Sequence, residues 1–409
     1  MSTYKFITDL DQNRYDTFVK NHPYNNLLQS WNWAKVKSNW DHVYTAVEDE
    51  NGELQAAGLL LIKKLPANFA MGYLPRGPIV DYKNGELLRF YMQELKKLAK
   101  KHHILFVKMD PAIHVNDYKS KDHNENKYPD TKLYLKNFAD AGCIHQGYTT
   151  MIEESIQPRY QSVVYKTDDL DGSLPKHTKR LIKDADRRNV QIVHGGMELL
   201  DEFSRLVSLT EERKGVALRN EKYFRHLLET YPEDSVIFLA KCNLKKLHED
   251  AKTKIEQLEK ELAATPENAK KKITRLNDQL NSTHKSYAEY EQMIKEGMPE
   301  GEVAIAGILS IQYGDICEML YAGMDERFKQ FMPQYKEYVE NFRWAFERGC
   351  RLANMGGVEG TLDDGLTRFK DNFDPTIEEF IGEFDLPVNT LLYKPSKIAY
   401  EKVKGKMRG

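Results

Sequence analysis

The sequence predicts a mixed α/β chain of two domains, the second interrupted by an antiparallel helical hairpin. Three observations predict it. At 409 residues the chain is too long for one ordinary hydrophobic core. Short apolar runs of strand length alternate with amphipathic helical stretches, in a similar order in both halves. Between residues 244 and 298 an unbroken helical pattern stands apart from both.

In that last stretch Leu244, Leu247, Ala251, Ile255, Leu258 and Leu262 recur at steps of three and four, with charged residues in the gaps. The pattern breaks at Pro266 and resumes through Ala269, Ile273, Leu276, Leu280, Tyr287, Tyr290 and Ile294. A proline between two helices of similar length reads as the tip of a hairpin, each arm ~30 Å or longer at the helical rise. Apolar runs at 235–241 and 303–311 flank it, so the arm, residues 243–299, is an insertion between two strands.

From the N-terminus, residues 12–40 read as helical, with Ser30 placed to cap a helix carrying Trp31, Val36 and Lys37. Strands are expected at 42–48, 54–63 and 70–74, the first two joined by a turn ending at Gly52. The third enters Pro75-Arg76-Gly77-Pro78, a stiff bend holding an arginine at a strand end. A helix over 86–103 leads to a strand over 104–109 that ends in Asp110-Pro111. The polar stretch 116–132 reads as a long surface excursion. The second half repeats the alternation, with strands at 162–166, 190–194, 235–241, 303–311, 316–322 and 351–355. Its helices fall at 175–188, 197–213, 221–230 and 333–349. A final strand is expected over 386–393, then a basic tail read as a solvated helix.

Composition narrows the function classes. Hydrophobic content of 41% with 30% charged residues fits a soluble globular protein, and a net charge of −2 gives no global basic character. The longest apolar run, 56–62, cannot span a bilayer, so the expected place is the cytoplasm, with peripheral contact at the inner membrane face left open. Cys143, Cys242, Cys317 and Cys350 have no zinc-like pairing, and the 12 histidines form no metal cluster, so no metal is expected.

Six separated stretches coincide with one family. They are Leu28-Gln29-Ser30 with Trp33 and Lys37; Leu74 to Pro78; Met109-Asp110-Pro111; Thr210, Arg213-Lys214-Gly215, Arg219 and Tyr223; Tyr321-Ala322-Gly323; and Phe369-Lys370 with Phe373. In this order, with the inserted hairpin, the chain resembles the Fem family of tRNA-dependent aminoacyltransferases, which build peptidoglycan side branches. The resemblance implies two acetyltransferase-like (GNAT-like) domains: 1–155, completed by 386–409, and 156–385. It implies aminoacyl-tRNA as donor, and as acceptor the stem-peptide lysine or growing branch of a peptidoglycan precursor, lipid II rather than UDP-MurNAc-pentapeptide. Related Fem-type enzymes are possible partners. The streptococcal and enterococcal members look closest in character, which points to alanine or serine. An N-acyltransferase with another donor, and a non-catalytic RNA-binding or scaffold protein, are the alternatives.

The implied reaction is attack of an amine on an ester, already activated, so no cofactor and no covalent intermediate are required. By resemblance Phe369 and Lys370 lie at the donor site, the lysine answering phosphate or ester charge and the ring packing on the terminal adenine; otherwise they are a loop lysine beside a core phenylalanine. The family often has glycine after this lysine, and Asn372 is expected to take the left-handed turn instead. Lys37 and Arg219, with Tyr223 and Tyr321, suit the acceptor diphosphate. Asp110 could orient the incoming ammonium or take its proton, or simply cap the turn after Pro111. Arg76 is either a substrate contact or half of an internal salt bridge. Lys270, Lys271, Lys272 and Arg275, past the hairpin tip, form a local cluster able to meet RNA phosphates.

Overall fold

The computed structural model describes residues 4–123, 126–214 and 219–407; Gly215, named above, lies outside them. In the first half the elements are β1 (Lys5–Ile7), α1 (Gln12–Asn21), α2 (Trp33–Val36), β2 (Asp41–Glu48), β3 (Leu54–Lys64), β4 (Ala70–Leu74) and β5 (Ile79–Val80). Then come α3 (Gly85–Lys101), β6 (Ile104–Met109), β7 (His114–Tyr118), α4 (Thr131–Asp140) and β8 (Ile144–His145). The second half opens with β9 (Tyr160–Tyr165), α5 (Leu170–Ser173), α6 (Lys176–Arg187), β10 (Gln191–Gly195), α7 (Leu200–Lys214), α8 (Glu221–Thr230) and β11 (Ser235–Asn243). The hairpin follows as α9 (Leu244–Ala263) and α10 (Lys270–Lys295). The chain closes with β12 (Glu302–Tyr313), β13 (Ile316–Met324), α11 (Pro333–Glu347), β14 (Leu352–Val358), α12 (Gly365–Lys370), β15 (Thr376–Phe380), β16 (Phe384–Pro387) and α13 (Thr390–Met407).

Two mixed sheets result, ordered β1-β2-β3-β4-β6-β16-β8, with β5 beside β3, and β10-β11-β12-β13-β14-β9-β15-β7. Each contains an antiparallel run followed by one parallel joint, β4 with β6 across α3 and β13 with β14 across α11. The repeated element order seen in the sequence is this shared plan. The second parallel joint is short. Ile316 to Glu318 pair with Leu352 to Asn354, and beyond them β13 and β14 part company.

Strands are exchanged between the halves. β16, from near the C-terminus, lies between β6 and β8 in the first sheet. β7 leaves the first half to pair with β15 at the edge of the second sheet, which corrects the expectation that residues 1–155 form one unit and that 116–132 is wholly an excursion. The reason is visible at Asp110-Pro111, where the chain turns out of the first sheet, and in β7 itself, whose Val115, Asn116 and Tyr118 are buried.

Three other expectations change. Residues 12–40 are not one helix: α1 ends before Pro23, and only the four-residue α2 follows. Ser30 does not cap α2, whose N-cap position is held by Asn32; its Oγ pairs with the Tyr231 hydroxyl at 2.7 Å, tying the two halves together. The last strand stops at Pro387, and the residues expected to extend it begin α13.

The hairpin is as the periodicity indicates. Leu244, Leu247, Ala251, Ile255 and Leu258 of α9 are buried, as are Leu276, Tyr290 and Met293 of α10. Its base joins a cluster with Val190, Phe328 and Phe331, so the arm is rooted in the second domain.

β16 is stitched to β6 by a buried cation. Lys108 Nζ donates to Asp385 Oδ1 at 2.8 Å and to Glu383 Oε2 at 3.1 Å, and lies 5.5 Å from the Tyr400 ring centre. Burial alone would lower the lysine's pKa, but Glu383 and Asp385 more than reverse it, so the ammonium stays charged. Removing it strands two carboxylates in the core. Lys108→Met is expected to cost about 3–5 kcal/mol, read as a lower midpoint in urea unfolding.

Candidate active site

Between the halves lies a cleft of about 340 Å³, lined by Trp33, Lys37, Trp40, Tyr73, Gln157, Arg219, Tyr223 and Tyr321 among others. Four residues chosen from sequence for acceptor binding, Lys37, Arg219, Tyr223 and Tyr321, therefore meet in one place. Local structure explains how. Lys37 is the residue that ends α2, a short helix whose Trp33, Ala34 and Val36 are buried. Asn220 caps α8 by accepting from the Tyr223 N–H, which sets Arg219 just before the helix and Tyr223 in its first turn. The Arg219 guanidinium lies 4.9 Å from the Tyr223 ring centre, and the Tyr321 hydroxyl donates to that of Tyr223 at 3.4 Å.

The cleft is electropositive and partly desolvated. Burial, then the charges of Arg219 and Lys63, lower the Lys37 pKa to about 8. Two cations held near one another favour a bound polyanion. Lys63 Nζ, near the end of β3, lies 5.4 Å from the ring centre of Trp40, a lining residue, and its charge is felt at Lys37.

Asp110 stands behind the cleft. Its carboxylate accepts from the Tyr73 hydroxyl at 2.8 Å and from the Arg76 N–H at 2.7 Å, so it does not cap the turn after Pro111. Burial raises its pKa to about 6 despite Arg76. Tyr73 lines the cleft, so Asp110 reaches it through that phenol. Arg76 does not face the cleft. Only 2% exposed, it donates to the Pro158 carbonyl at 2.7 Å and lies flat on Phe380, 4.2 Å from the ring centre. The internal reading describes it, with a carbonyl and a ring in place of a salt-bridge side chain.

Lys370 and Phe369 occupy α12, apart from this cleft's lining. The Lys370 Nζ donates to the Gly356 and Gly357 carbonyls at 3.0 and 2.9 Å, at the end of β14 that has left β13. Phe369 packs with Tyr335, Tyr338 and Phe373. Asn372 is not left-handed; its amide donates to the Arg368 and Phe369 carbonyls, and Asp374 takes the positive φ. At the hairpin tip Lys272 pairs with Glu261 at 3.0 Å, while Lys270, Lys271 and Arg275 are exposed.

Several family-marking residues prove to be supports. Gln29 donates to the Pro75 carbonyl at 2.6 Å and accepts from Leu59 N–H at 2.8 Å, bracing the bend before Arg76. A Cβ on Gly77 would meet that Gln29 amide at 2.7 Å. Thr210 accepts from the Met324 N–H, and a Cβ on Gly323 would strike the α7 backbone at 2.6 Å, so both dock α7 on β13. The cysteines are buried, and burial pushes the Cys350 thiol up to about 11, which leaves no thiolate nucleophile there.

A second cavity of about 400 Å³ lies on the same face of the second sheet, with Glu318, Glu378, His114 and Asn354 in its wall. Burial raises the Glu318 pKa to about 7, with Glu378 adding to it and Arg76 opposing. The sequence offered no signal for this group beyond alternation on β13.

The FemAB family model matches residues 10–401. The chain belongs to the FemAB family. It is 29% identical over 403 residues to a lipid II:glycine glycyltransferase of Staphylococcus epidermidis, covering 94% of this chain and 93% of that one. Against the protein of the same name from Staphylococcus aureus, strain USA300, identity is 29% over 404 residues, covering 93% and 92%. The crystal structure of FemX superposes with a TM-score of 0.77 at 26% identity, over 96% of this chain and 99% of that one. The protein is thus an enzyme, an aminoacyltransferase with the two-domain FemAB architecture. Among the described residues no helix is long and apolar enough to cross a membrane.

The electrostatics of Lys37 give a pH dependence. An anion in the cleft favours the charged ammonium, which is lost as pH rises through about 8. Acceptor KM is expected to climb above that pH, and Lys37→Arg to remove the climb; steady-state kinetics from pH 6.5 to 9.5 read it.

Proposed function

We propose that this enzyme transfers a small amino acid from aminoacyl-tRNA to an amine on the branch position of lipid II, working against the inner membrane face. The observation that carries this reading is the single cleft in which Lys37 and Arg219, from opposite halves of the chain, converge with Tyr223 and Tyr321. A guanidinium and an ammonium side by side answer a diphosphate. Both forms of the precursor carry one, and the staphylococcal relatives, by name, act on the lipid-linked form.

The chemistry then asks little of the protein. The tRNA ester is activated, so attack by a neutral amine needs placement, stabilisation of the oxyanion and a proton for the leaving ribose hydroxyl. No cofactor enters. Asp110, with its pKa near 6 and its hydrogen bond to Tyr73, is suited to drain the proton of the acceptor ammonium through the phenol that lines the cleft. Lys370 orders the parted end of β14 by holding two carbonyls, and donor recognition is assigned to that opening, with Phe369 beside it. The relatives are glycyltransferases by name, whereas the sequence character points to alanine or serine; we take the donated residue to be one of these three.

The test is direct. Purified protein is given lipid II and tRNA charged with labelled glycine, alanine or serine, and label on the lipid is measured. Transfer from one of the three is expected; label that stays on tRNA while an acyl thioester is consumed overturns the reading. Lys37→Ala and Arg219→Ala should each raise acceptor KM by about tenfold to a hundredfold with a smaller change in kcat, from the loss of a charge-assisted phosphate contact. Neutralising Lys270, Lys271 and Arg275 should flatten the salt dependence of tRNA binding if the hairpin tip meets the RNA backbone.

A further inference from the structure

The cleft shares two wall residues, Met71 and Tyr400, with a third hollow, of about 440 Å³. This one is an apolar groove. Phe69 lies on one side, where the chain passes from β3 to β4, Leu105 of β6 forms the floor, and Leu392, Pro395 and Ala399 of α13 close the other side. Pro395 sits inside a helix, where it gives up a backbone hydrogen bond, and its ring faces this space. On the same helix Leu391 is 87% exposed and Ile398 60% exposed, with exposed Lys394 between them. An apolar groove running out from a dication site, with apolar side chains continuing past its rim, fits a ligand that is a diphosphate at one end and a hydrocarbon at the other.

We propose that the groove between α13 and the β3–β4 connection holds the first isoprenoid units of a polyprenyl diphosphate-linked acceptor. The proposal rests on the lipid-linked acceptor reading above and adds where the lipid goes. With the diphosphate on Lys37 and Arg219, the chain passes Tyr400 and Met71 into the groove and leaves beside Leu391 and Ile398 toward the bilayer. The groove walls suit a slim, branched chain without hydrogen-bonding groups. A nucleoside on the same diphosphate would set a polar ribose and base against Phe69, Leu105 and Pro395, so the groove also selects the lipid-linked precursor over the nucleotide-linked one.

The experiment compares two acceptors with the same glycopeptide diphosphate, one esterified to undecaprenol and one to methanol. Two variants of the full chain are used: Ala399→Trp, whose added ring fills the groove from an exposed helical position, and Leu392→Ser, which weakens its wall. Native enzyme should show a KM lower by about tenfold or more for the undecaprenyl acceptor, the scale set by burying one or two isoprenoid units. Ala399→Trp should erase that preference and Leu392→Ser reduce it, with kcat/KM for the methyl ester unchanged in both. Equal losses on the two acceptors overturn the groove proposal and leave the acceptor reading standing. If native enzyme uses neither acceptor, both fall. If Ala399→Trp instead weakens binding to phosphatidylglycerol vesicles that contain no polyprenyl lipid, the groove takes bilayer acyl chains and the proposal is overturned.

Discussion

Arg76 is the residue on which the cleft depends. Its backbone N–H is fixed by Asp110 at the end of the first sheet, while its guanidinium lies on Phe380 and donates to the Pro158 carbonyl, both belonging to the second half. One side chain thus sets the distance between the two walls. It adopts a positive φ that a non-glycine residue holds only when its surroundings compel it, and Gln29 packed against Gly77 supplies the compulsion. The guanidinium also faces the carboxylates of Asp110 and Glu318, opposing the upward push that burial gives both. A mechanical joint and an electrostatic reference for two buried acids are the same group.

The two parallel joints play different parts. In the first sheet β4 and β6 stay paired to their ends, so Leu74 and Met109 deliver Arg76 and Asp110 side by side. In the second sheet β13 and β14 separate after three residues, which frees Tyr321 to face the cleft and leaves Gly356 and Gly357 to be held by Lys370. A repeated plan has been used once for rigidity and once for an opening. The hairpin is continuous with neither, being rooted among Val190, Phe328 and Phe331.

What the sequence made legible follows from how local each signal is. The hairpin was readable because its apolar seam is periodic over many turns. The convergence of Lys37, Arg219, Tyr223 and Tyr321 came from family resemblance, since no spacing along the chain brings α2, α8 and β13 together. Arg76 was recognisable as special from its Pro-rich bend, yet its direction is set by Phe380, some three hundred residues away in sequence. β7 was missed because strand alternation in His114–Tyr118 is carried by histidine and asparagine, polar residues that read as loop until β15 is seen beside them. Glu318 and the apolar groove were invisible for the same reason: each is made by elements that meet only after folding.

The exchange of strands bears on how the protein is made. The first sheet needs β16, which ends at Pro387, and its buried Lys108 has no counter-charge until Glu383 and Asp385 arrive. An N-terminal half emerging from the ribosome therefore cannot close its core ahead of the rest, as an autonomous leading domain would. It must wait, with a ladder edge unpaired beside β6, until nearly the whole chain has been synthesised. A polypeptide that stalls or is cut just before residue 383 can assemble every strand of the second sheet yet leaves the first one open beside β6, with Lys108 unneutralised.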